Sequence, residues 1–523
     1  MAAIKKVSPL TGRNQRPRVA KTIASPPDKC TQPFAKRRDE LRGLTPAQSV
    51  LVLVGNQPWK TAMRPMLQEM DRDRRENRDR RGARAAYTAE QIEMALAYQR
   101  AANLVTYKEA YEKLCGADPE PRETLGFTRP NAKRATKNLD GIPSPATVSR
   151  HKKRFGKVRR GEAWDELGRA ARDYHLENHP EYREECEVLG IDGTAIKIHY
   201  TAPIIDPKTG KVTNAGSVTA PDAGYVPWSA GVDKSGHGYN LIPLAPASGV
   251  PLTWSLTPLN ASEPLEAEKI FKSEDFTQRV LPRLDRDTIG VVTADGAFHH
   301  PGLRLAIRES GYVENIHHVS HSSKKSSQLR AAKETALRIP IAGYASWFAN
   351  GHRELVCGCG TGNVSSRYRT LKNGRVSTSV EGDCTNCGRI SITSGKWKRA
   401  QNPDHFVEVD PSDPKEEPDY LFGNPLTYNR PLSTMFGNKR MGHGEGLYGT
   451  LATRFKLNAE KRWFRTIDDA RADVGIVFSL IHALAMEQRR RQFANSIAEE
   501  FGLEKPEFGF EKPPGLEDPP LAA

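Results

Sequence analysis

The apolar positions between residues 187 and 319 form short β-branched runs separated by stretches with helical spacing. In chain order they predict strands at 187–200, 238–245 and 250–257, a helix at 264–284, a strand at 288–293, a helix at 300–311 and a strand at 312–319. This order is typical of a mixed sheet flanked by helices. The pattern therefore predicts an α/β fold for this part of the chain.

Helical spacing continues on both sides of this core. Before the core, a helical pattern covers 88–115, with Thr88 as a capping residue; after it, helical patterns cover 444–456 and 467–491. The alternation of strands and helices is interrupted from 320 to 430. The predicted organisation is a basic, largely disordered arm and charged spacer at 1–86, a helical DNA-binding region at 87–180, a first core segment at 181–320, an insertion at 321–430, a last core segment at 431–495 and a proline-rich tail at 496–523.

A short basic helix is predicted after Ser144, which has the character of an N-cap and precedes a proline. Its polar and basic side chains would project as from the recognition helix of a helix-turn-helix. These candidate DNA-binding residues are Thr147, Ser149, Arg150, Lys152 and Lys153. An ordinary basic surface helix accounts equally well for the same pattern.

Two aspartates follow apolar strand runs and precede glycine: Asp192 and Asp295. Because acidic side chains are costly to bury, two at strand ends suggest a shared Mg²⁺ or Mn²⁺ site. Glu445, at the start of a predicted helix, is the expected third carboxylate, and Arg454 and Lys456 behind it are candidate phosphate ligands. Two ions roughly 3.5–4 Å apart can activate an attacking oxygen and stabilise a leaving one.

Each of these acids also has an ordinary structural explanation. Asp-Gly is a common turn dipeptide, so either aspartate alone could simply form a turn. A glutamate in the first turn of a helix, such as Glu445, favours the helix dipole. The competitors for the role of third acid are Glu408, Asp410 and Asp419.

Four of the seven cysteines lie within one short stretch, as Cys357-Gly-Cys359 and Cys384-Thr-Asn-Cys387, each pair followed by glycine. Four thiolates suit tetrahedral Zn²⁺, and glycine permits the tight turn of each pair. The pattern predicts a small four-cysteine zinc ribbon at about 352–400, with four unrelated buried cysteines as the alternative. His317, His318 and His321 form a second metal-like group, for which a core or phosphate-facing role is the better interpretation.

The charge balance points to a polyanionic partner. Lys and Arg number 78 against 63 acids, a net charge of +15, and nucleic acid is the usual partner of such a surface. Around the predicted insertion, the basic residues proposed to contact DNA are Lys324, Lys325, Lys396, Lys398 and Arg399. The longest weakly polar run, Val474–Met486, is too short to span a bilayer, and the first residues do not resemble a secretory signal. We therefore expect a cytoplasmic protein with no membrane partner.

Residues 187–490 resemble the catalytic domain of bacterial insertion-sequence DDE transposases. The matching motifs are Ile191-Asp192-Gly193-Thr194, Gly238-Tyr239-Asn240-Leu241, Gly249–Thr253 leading to Thr257–Asn260, Ala294-Asp295-Gly296-Ala297-Phe298, Glu445-Gly-Leu-Tyr448 with Arg454 and Lys456, and Ala483-Leu484-Ala485. The tyrosine-arginine-glutamate-lysine signature of one large group is not kept around Glu445. The long separation between Asp295 and Glu445 requires an insertion, which this fold family tolerates.

The resemblance implies an RNase H-like fold in which Asp192, Asp295 and Glu445 hold two Mg²⁺ or Mn²⁺ ions. It also implies a DNA transposase that binds transposon ends, cuts them and joins them to target DNA, as a homo-oligomer of at least two copies. One alternative is a metal-dependent endonuclease of the same fold that hydrolyses without joining. The other is a catalytically silent zinc-ribbon DNA-binding regulator.

Overall fold

The computed structural model describes residues 44–76, 87–127, 141–201, 204–205, 212–214, 217–226, 236–284, 290–298, 300–316, 341–346, 353–357, 363–370, 376–384, 388–393, 408–409, 447–457 and 462–504. These residues fall into two compact units. One unit contains the strands between 341 and 409. The other contains the helices and a seven-stranded sheet.

The seven-stranded sheet is mixed. Its strands are β1 (Val188–Ile191), β2 (Thr194–Lys197), β7 (Gly224–Val226), β8 (Gly236–Pro246), β9 (Thr253–Pro258), β10 (Gly290–Ala294) and β11 (Tyr312–Ile316). Short strands between β2 and β7 form two separate pairs: β3 (Tyr200–Thr201) with β6 (Ser217–Val218), and β4 (Ile204–Ile205) with β5 (Val212–Asn214). In the main sheet β1 lies between β8 and β10, with β9 beyond β8 and β11 beyond β10. β1, β10 and β11 are parallel, whereas β8 is antiparallel to β1 and β9.

β1 and β2 are two parts of one strand interrupted at Asp192-Gly193. Ile191 on β1 pairs with Leu244 on β8, and Thr194 on β2 pairs with Leu241, so the register along β8 is continuous across the interruption. All four residues of β1 are buried, as expected for a central strand covered on both faces. The interruption therefore places a half-buried acidic residue, Asp192, directly after the buried strand β1.

The helices surround this sheet in the same unit. They are α1 (Pro46–Gly55), α2 (Arg64–Glu76), α3 (Ala89–Ala101), α4 (Tyr107–Cys115), α5 (Glu120–Thr124), α6 (Pro145–Phe155), α7 (Lys157–Asn178), α8 (Pro180–Glu185), α9 (Glu263–Lys272), α10 (Leu281–Leu284), α11 (Pro301–Glu309), α12 (residues 447–453) and α13 (Ile467–Glu500). π-Helical turns at Trp59–Met63 and Asp275–Val280 lead into α2 and α10. α9 and α10 connect β9 to β10, and α11 connects β10 to β11, as the sequence predicts.

α7 and α13 form a close helix pair that joins the N-terminal helices to the sheet. A Cβ atom at Gly475 of α13 would lie 2.4 Å from the backbone carbonyl of Trp164 on α7. Glycine is therefore required for the two backbones to approach this closely. The sheet contacts the same pair of helices, since the Trp254 indole of β9 donates a hydrogen bond to Asp165 on α7 at 2.7 Å, and its ring centroid lies 4.7 Å from that of Phe478 on α13.

The capping residues predicted from the sequence are confirmed. Thr88 forms a capping box with Gln91 at the start of α3, and Ser144 caps α6, with its hydroxyl accepting from the Thr147 backbone at 3.2 Å. The single helical pattern predicted at 88–115 is divided into α3 and α4, because Thr106 forms a second capping box.

Within the predicted arm and charged spacer at 1–86, residues 44–76 form helices that were not predicted individually from the sequence. The apolar run of α1 is buried, and Trp59 is 0% exposed with its indole donating to Glu90 at 2.8 Å. The apolar run of α1 was not recognised as core-forming, because the segment around it is rich in charged residues. α13 continues to Glu500, past the predicted start of the tail at 496, and ends before Gly502, whose φ of 63° suits glycine.

The second unit contains a six-stranded antiparallel sheet. Its strands are β12 (Ile341–Ser346), β13 (Arg353–Cys357), β14 (Asn363–Thr370), β15 (Val376–Cys384), β16 (Gly388–Thr393) and β17 (Glu408–Val409). The order is β12-β13-β14-β15-β16, with β17 paired to β15. This unit is made from the segment that the sequence predicts as an insertion.

Candidate active site

The strand register brings Asp192 and Asp295 together. On the parallel strands β1 and β10, Val188 pairs with Val291 and Gly190 with Thr293. Continued by two residues, the same register places Asp192 beside Asp295. Neighbouring strands are about 4.8 Å apart, so the two aspartates lie next to each other at the ends of adjacent parallel strands.

Both carboxylates are held by nearby backbone groups. The Gly193 N–H donates to Asp192 Oδ1 at 2.8 Å, and the Ala297 N–H donates to Asp295 Oδ1 at 2.8 Å. The second of these bonds belongs to the 3₁₀ turn Gly296–Phe298, which follows β10 directly. Each aspartate therefore uses one oxygen in its own turn, as the Asp-Gly alternative expects, and the turns also fix where the carboxylates lie.

A third carboxylate, Glu263, lies beside this pair and was not predicted from the sequence. It is the first residue of α9, and a Cβ atom on Gly193 would lie 2.3 Å from its Oε1 atom. The Asn240 side-chain amide on β8 donates to the same Oε1 at 3.1 Å. The absence of a side chain at Gly193 therefore gives Glu263 room next to Asp192.

The hydroxyl of Tyr448, on α12, lies in the field of these acids. Burial raises its pKa well above the usual value, and the charges of Asp192, Glu263 and Asp295 add to this effect. The hydroxyl oxygen is buried and has no hydrogen-bond partner within the described part of the chain. A buried hydroxyl without a partner is costly, and its surroundings suggest that a ligand held by the carboxylates satisfies it.

Carboxylates at these positions are of the type that a divalent cation such as Mg²⁺ would require. Such ions bind carboxylate oxygens and keep water or phosphate oxygens as further ligands, which a protonated tyrosine can contact as a donor. Among the residues that the structure describes, no three Asp, Glu, His or Cys side chains are already arranged to hold a metal ion. Glu445, the predicted third ligand, lies outside those residues.

The helix after Glu445 is present as predicted. Leu447, Leu451 and Phe455 are buried, at 1%, 0% and 0% exposure. The guanidinium of Arg454 lies 5.8 Å from the Phe455 ring centroid, and Lys456 has a positive φ of 46°. Both cationic side chains are half-buried, and they follow the helix that carries Tyr448.

The basic helix α6 presents part of its predicted DNA-binding set. Ser149, Arg150 and Lys153 are exposed, whereas Thr147 is half-buried and shares a hydrogen bond with Ser144 at 3.0 Å. Lys152 is half-buried, and burial followed by the charge of Arg160 lowers its pKa to about 8. Lys152 is therefore less accessible to a ligand in solution than Ser149, Arg150 and Lys153.

A buried glutamate, Glu93 on α3, holds α6 and α7 together. It accepts hydrogen bonds from His151 at 2.8 Å, Arg160 at 3.0 Å and the Trp164 indole at 2.9 Å. Burial raises the pKa of this carboxyl, but the charge of Arg160 and the hydrogen bonds outweigh it, so the pKa lies below its usual range. The basic helix is thus anchored by a charged network on its inner side.

One cysteine of each predicted pair ends a strand of the six-stranded sheet. Cys357 is the last residue of β13 and Cys384 the last of β15. Because β14 is antiparallel to both strands, these two ends lie at the same edge of the sheet. Cys359 and Cys387 lie outside the described residues, as do Lys324, Lys325, Lys396, Lys398, Arg399, His317, His318, His321, Asp410 and Asp419. Glu408 lies on β17 of this sheet, opposite Ser377.

Sequence reasoning missed Glu263 for a physical reason. Its sequence context, Ser262-Glu263-Pro264, is an ordinary helix start in which an acid is favourable to the dipole. Only the pairing of β2 with β8 and the position of α9 bring it to Gly193. Asn240 could have indicated a polar neighbour from the sequence, since a polar residue within a buried strand requires a hydrogen-bond partner.

Comparison with known proteins gives no match: no family model, no curated protein and no solved structure is similar to this chain. Within the described residues, none of the helices has the length and apolar character needed to cross a membrane.

Proposed function

We propose that the protein is a DNA transposase that cuts and joins DNA strands at a site formed by Asp192, Asp295 and Glu445. The observation that carries this proposal is the register of β1 and β10, which aligns the two aspartates on adjacent parallel strands. Acidic residues paired in this way, under a buried hydroxyl that needs a ligand, support metal-dependent chemistry on phosphate.

The topology of the sheet supports an RNase H-like core. Its strands lie in the order β9, β8, β1, β10, β11, and β8 alone among the five runs antiparallel to both of its neighbours. Along the chain, helices follow β9 and β10, and α12 comes after β11 and the inserted six-stranded sheet. This is the arrangement that the resemblance implies, with the first acid on the central strand. A shared fold does not by itself establish an activity, so the proposal rests on the acids.

Each side chain of the site has a defined part in the proposed reaction. Asp192, Asp295 and Glu445 would bind the cations, with Glu263 adjacent. Mg²⁺ or Mn²⁺ bound there would stabilise the charge that develops on phosphate oxygens. The Tyr448 hydroxyl, which is buried and has no partner among the described residues, would donate a hydrogen bond to the group held between the acids. Arg454 and Lys456 would bind the phosphates of the DNA backbone.

The reaction proceeds in two displacements at phosphorus. Water attacks a phosphodiester at the transposon end, and the 3′-oxygen leaves and takes up a proton. The freed 3′-hydroxyl then attacks a phosphodiester of the target, so that one phosphorus–oxygen bond forms as another breaks. Two ends must be processed together, which requires at least two copies of the chain.

The remaining basic and cysteine-rich parts would bind DNA. Ser149, Arg150 and Lys153 form the exposed face of α6, which is suited to contact double-stranded DNA. The four cysteines would hold a structural Zn²⁺ at the edge where β13 and β15 end. The basic residues predicted around the zinc ribbon would add contacts to the phosphates.

Strand transfer by the purified protein tests the proposal. The substrate is labelled, pre-cut DNA from the ends that flank the gene, incubated with Mg²⁺ and a target plasmid. Wild-type protein should give joined product, and Asp295→Asn should lower it by at least about 10³-fold, since each such ligand supports several kcal/mol of transition-state stabilisation. Asp118→Asn, at an exposed acid on the surface, is the matched control and should retain activity.

The alternatives give different products in the same assay. Metal-dependent nicking without joined product would identify an endonuclease. Tight binding of the ends with neither product would identify a DNA-binding regulator. Equal activity of Asp295→Asn and wild type would rule out the site itself.

A further inference from the structure

The last turns of α13 carry an apolar stripe that faces solvent. Phe493 and Phe501 are each 68% exposed, and Ile497 is 36% exposed. Residues four apart lie on one face of a helix, so Phe493 and Ile497 are neighbours, and Phe501 follows directly after the helix ends. Four of the eight large apolar side chains exposed in the described part of the chain lie between 493 and 503, so exposure of this kind is concentrated here. Such concentration marks an interaction surface.

Charged residues of opposite sign lie at the two ends of the stripe. Arg490, whose side chain is 58% exposed, precedes Phe493, and Glu500, also exposed, follows Ile497. The four residues Arg490, Phe493, Ile497 and Glu500 are spaced by three, four and three positions. This is the spacing of a helix-pairing seam, and it is the same in both directions along the helix.

A second copy of the same helix, running antiparallel, complements this face. It places Phe493 of one copy opposite Ile497 of the other, and Arg490 opposite Glu500, twice by symmetry. A twofold interface requires a self-complementary surface of this kind. If one residue of the first copy contacts a second residue of the other copy, the same contact occurs again with the two copies exchanged. An apolar stripe with like charges at both ends would not meet this requirement.

We propose that the end of α13 is an interface between two copies of this chain, paired antiparallel about an axis near Asn495. The proposed function already requires at least two copies of the chain, and this inference names the surface through which they pair. The interface is argued from α13 alone and does not depend on DNA or catalysis. The partner is a second copy, because the positive end of the stripe, at Arg490, meets the negative end, at Glu500, when the second helix runs in the opposite direction.

The contact is small, and its strength follows from its size. From 490 to 501 the stripe spans about 17 Å at 1.5 Å per residue. One short helix pair belongs to the class of interfaces below about 1,200 Å², so the dimer should be weak and depend on concentration. Arg490 also bonds Glu487 of its own helix, through Nε at 2.7 Å and Nη2 at 2.9 Å. Because 58% of the Arg490 side chain is exposed, its guanidinium is accessible to Glu500 of a second copy.

Sedimentation equilibrium of the full chain without DNA, over a range of protein concentrations, tests the interface. Wild type should show a monomer–dimer equilibrium, and Phe493→Glu should raise the dissociation constant at least about tenfold, because a charge in the seam is not compensated. Val158→Glu is the matched control, since Val158 is 55% exposed on α7 and outside the stripe. A wild type that is monomeric at every concentration, or a Phe493→Glu variant that dimerises like wild type, overturns the proposal.

Charge reversal tests the antiparallel register. Arg490→Glu and Glu500→Arg should each weaken the dimer, because each creates two like-charge contacts. The double variant should associate again, and so should a mixture of the two single variants, since opposite charges then face each other. Single variants that dimerise like wild type, or a double variant no stronger than the single ones, would show that Arg490 does not face Glu500.

Discussion

At the scale of single residues, the candidate site combines groups that the sequence indicates with groups that it does not. Asp192 and Asp295 could be predicted because each ends an apolar run, and their neighbourhood follows from the parallel pairing of β1 and β10. Glu263 could not be predicted, since its contact with Gly193 depends on how α9 lies against the sheet. Tyr448 was noted only as part of a helix, and its unpartnered hydroxyl is visible only in three dimensions.

Two buried histidines outside the site form an ordered hydrogen-bond chain. Arg489 donates to Nε2 of His175 at 2.9 Å, the Nδ1 atoms of His175 and His482 are 3.2 Å apart, and Nε2 of His482 bonds the Pro251 carbonyl at 2.9 Å. An arginine only donates and a carbonyl only accepts, so both rings must be neutral for every bond to form. The sequence pattern gave no indication of this pair, which joins α7 to α13.

Because both histidines of this hydrogen-bond chain are neutral, we expect the protein to lose stability in acid. Burial, followed by the charge of Arg172, lowers the pKa of His482 to about 3, and burial also lowers that of His175. Unfolded histidines take up a proton near pH 6.5, so the unfolded state binds more protons below that pH. The free energy of unfolding should therefore fall as the pH drops from about 6.5 towards about 3, by up to about 1.4 kcal/mol per pH unit for each histidine.

Urea unfolding between pH 7.5 and pH 4.5 measures this loss. In His482→Gln the amide can still donate to the Pro251 carbonyl but does not titrate, so this variant should have a shallower pH dependence than wild type. The same slope in both proteins would show that His482 is not held neutral.

At the scale of elements, the periodicity predicted the type and order of the segments better than their ends. The strands at β8 and β10 and the helix α11 occur within a few residues of the prediction, because each is bounded by glycine or proline. The helix α1 was not predicted, because its short apolar run lies inside a segment rich in charge. The division of the first strand into β1 and β2 was indicated by Asp192-Gly193 itself.

The edge of the six-stranded sheet leads to a prediction about metal content. Cys357 and Cys384 end β13 and β15 at one edge, and four thiolates there would bind one Zn²⁺. Metal analysis of the purified protein should give one zinc per chain. Cys357→Ser and Cys384→Ser should each lose it, whereas Cys115→Ser, at a cysteine on α4, should keep it. Unchanged zinc in both of the first two variants would contradict the assignment.

At the scale of the whole molecule, the sequence indicated an α/β core interrupted by an insertion. The structure has a mixed sheet flanked by helices, and residues 320–433 belong to a compact unit separate from the one that holds this sheet. The packing of the N-terminal helices on α13 was not foreseen, because the glycine contacts between α7 and α13 have no local signature. The proposed interface at the end of α13 and the proposed site at the aligned aspartates lie on separate elements, so each can be tested without the other.

The central claim is that Asp192 and Asp295 bind the metal ions of a strand-transfer reaction. Its most direct test replaces each in turn by cysteine and compares strand transfer in Mg²⁺ and Mn²⁺. Thiolate is a poor ligand for Mg²⁺ and a better one for Mn²⁺. We expect Asp192→Cys and Asp295→Cys to lose activity in Mg²⁺ and to recover part of it in Mn²⁺, while Asp118→Cys behaves like wild type. Cysteine variants that keep wild-type activity in Mg²⁺ would contradict the account.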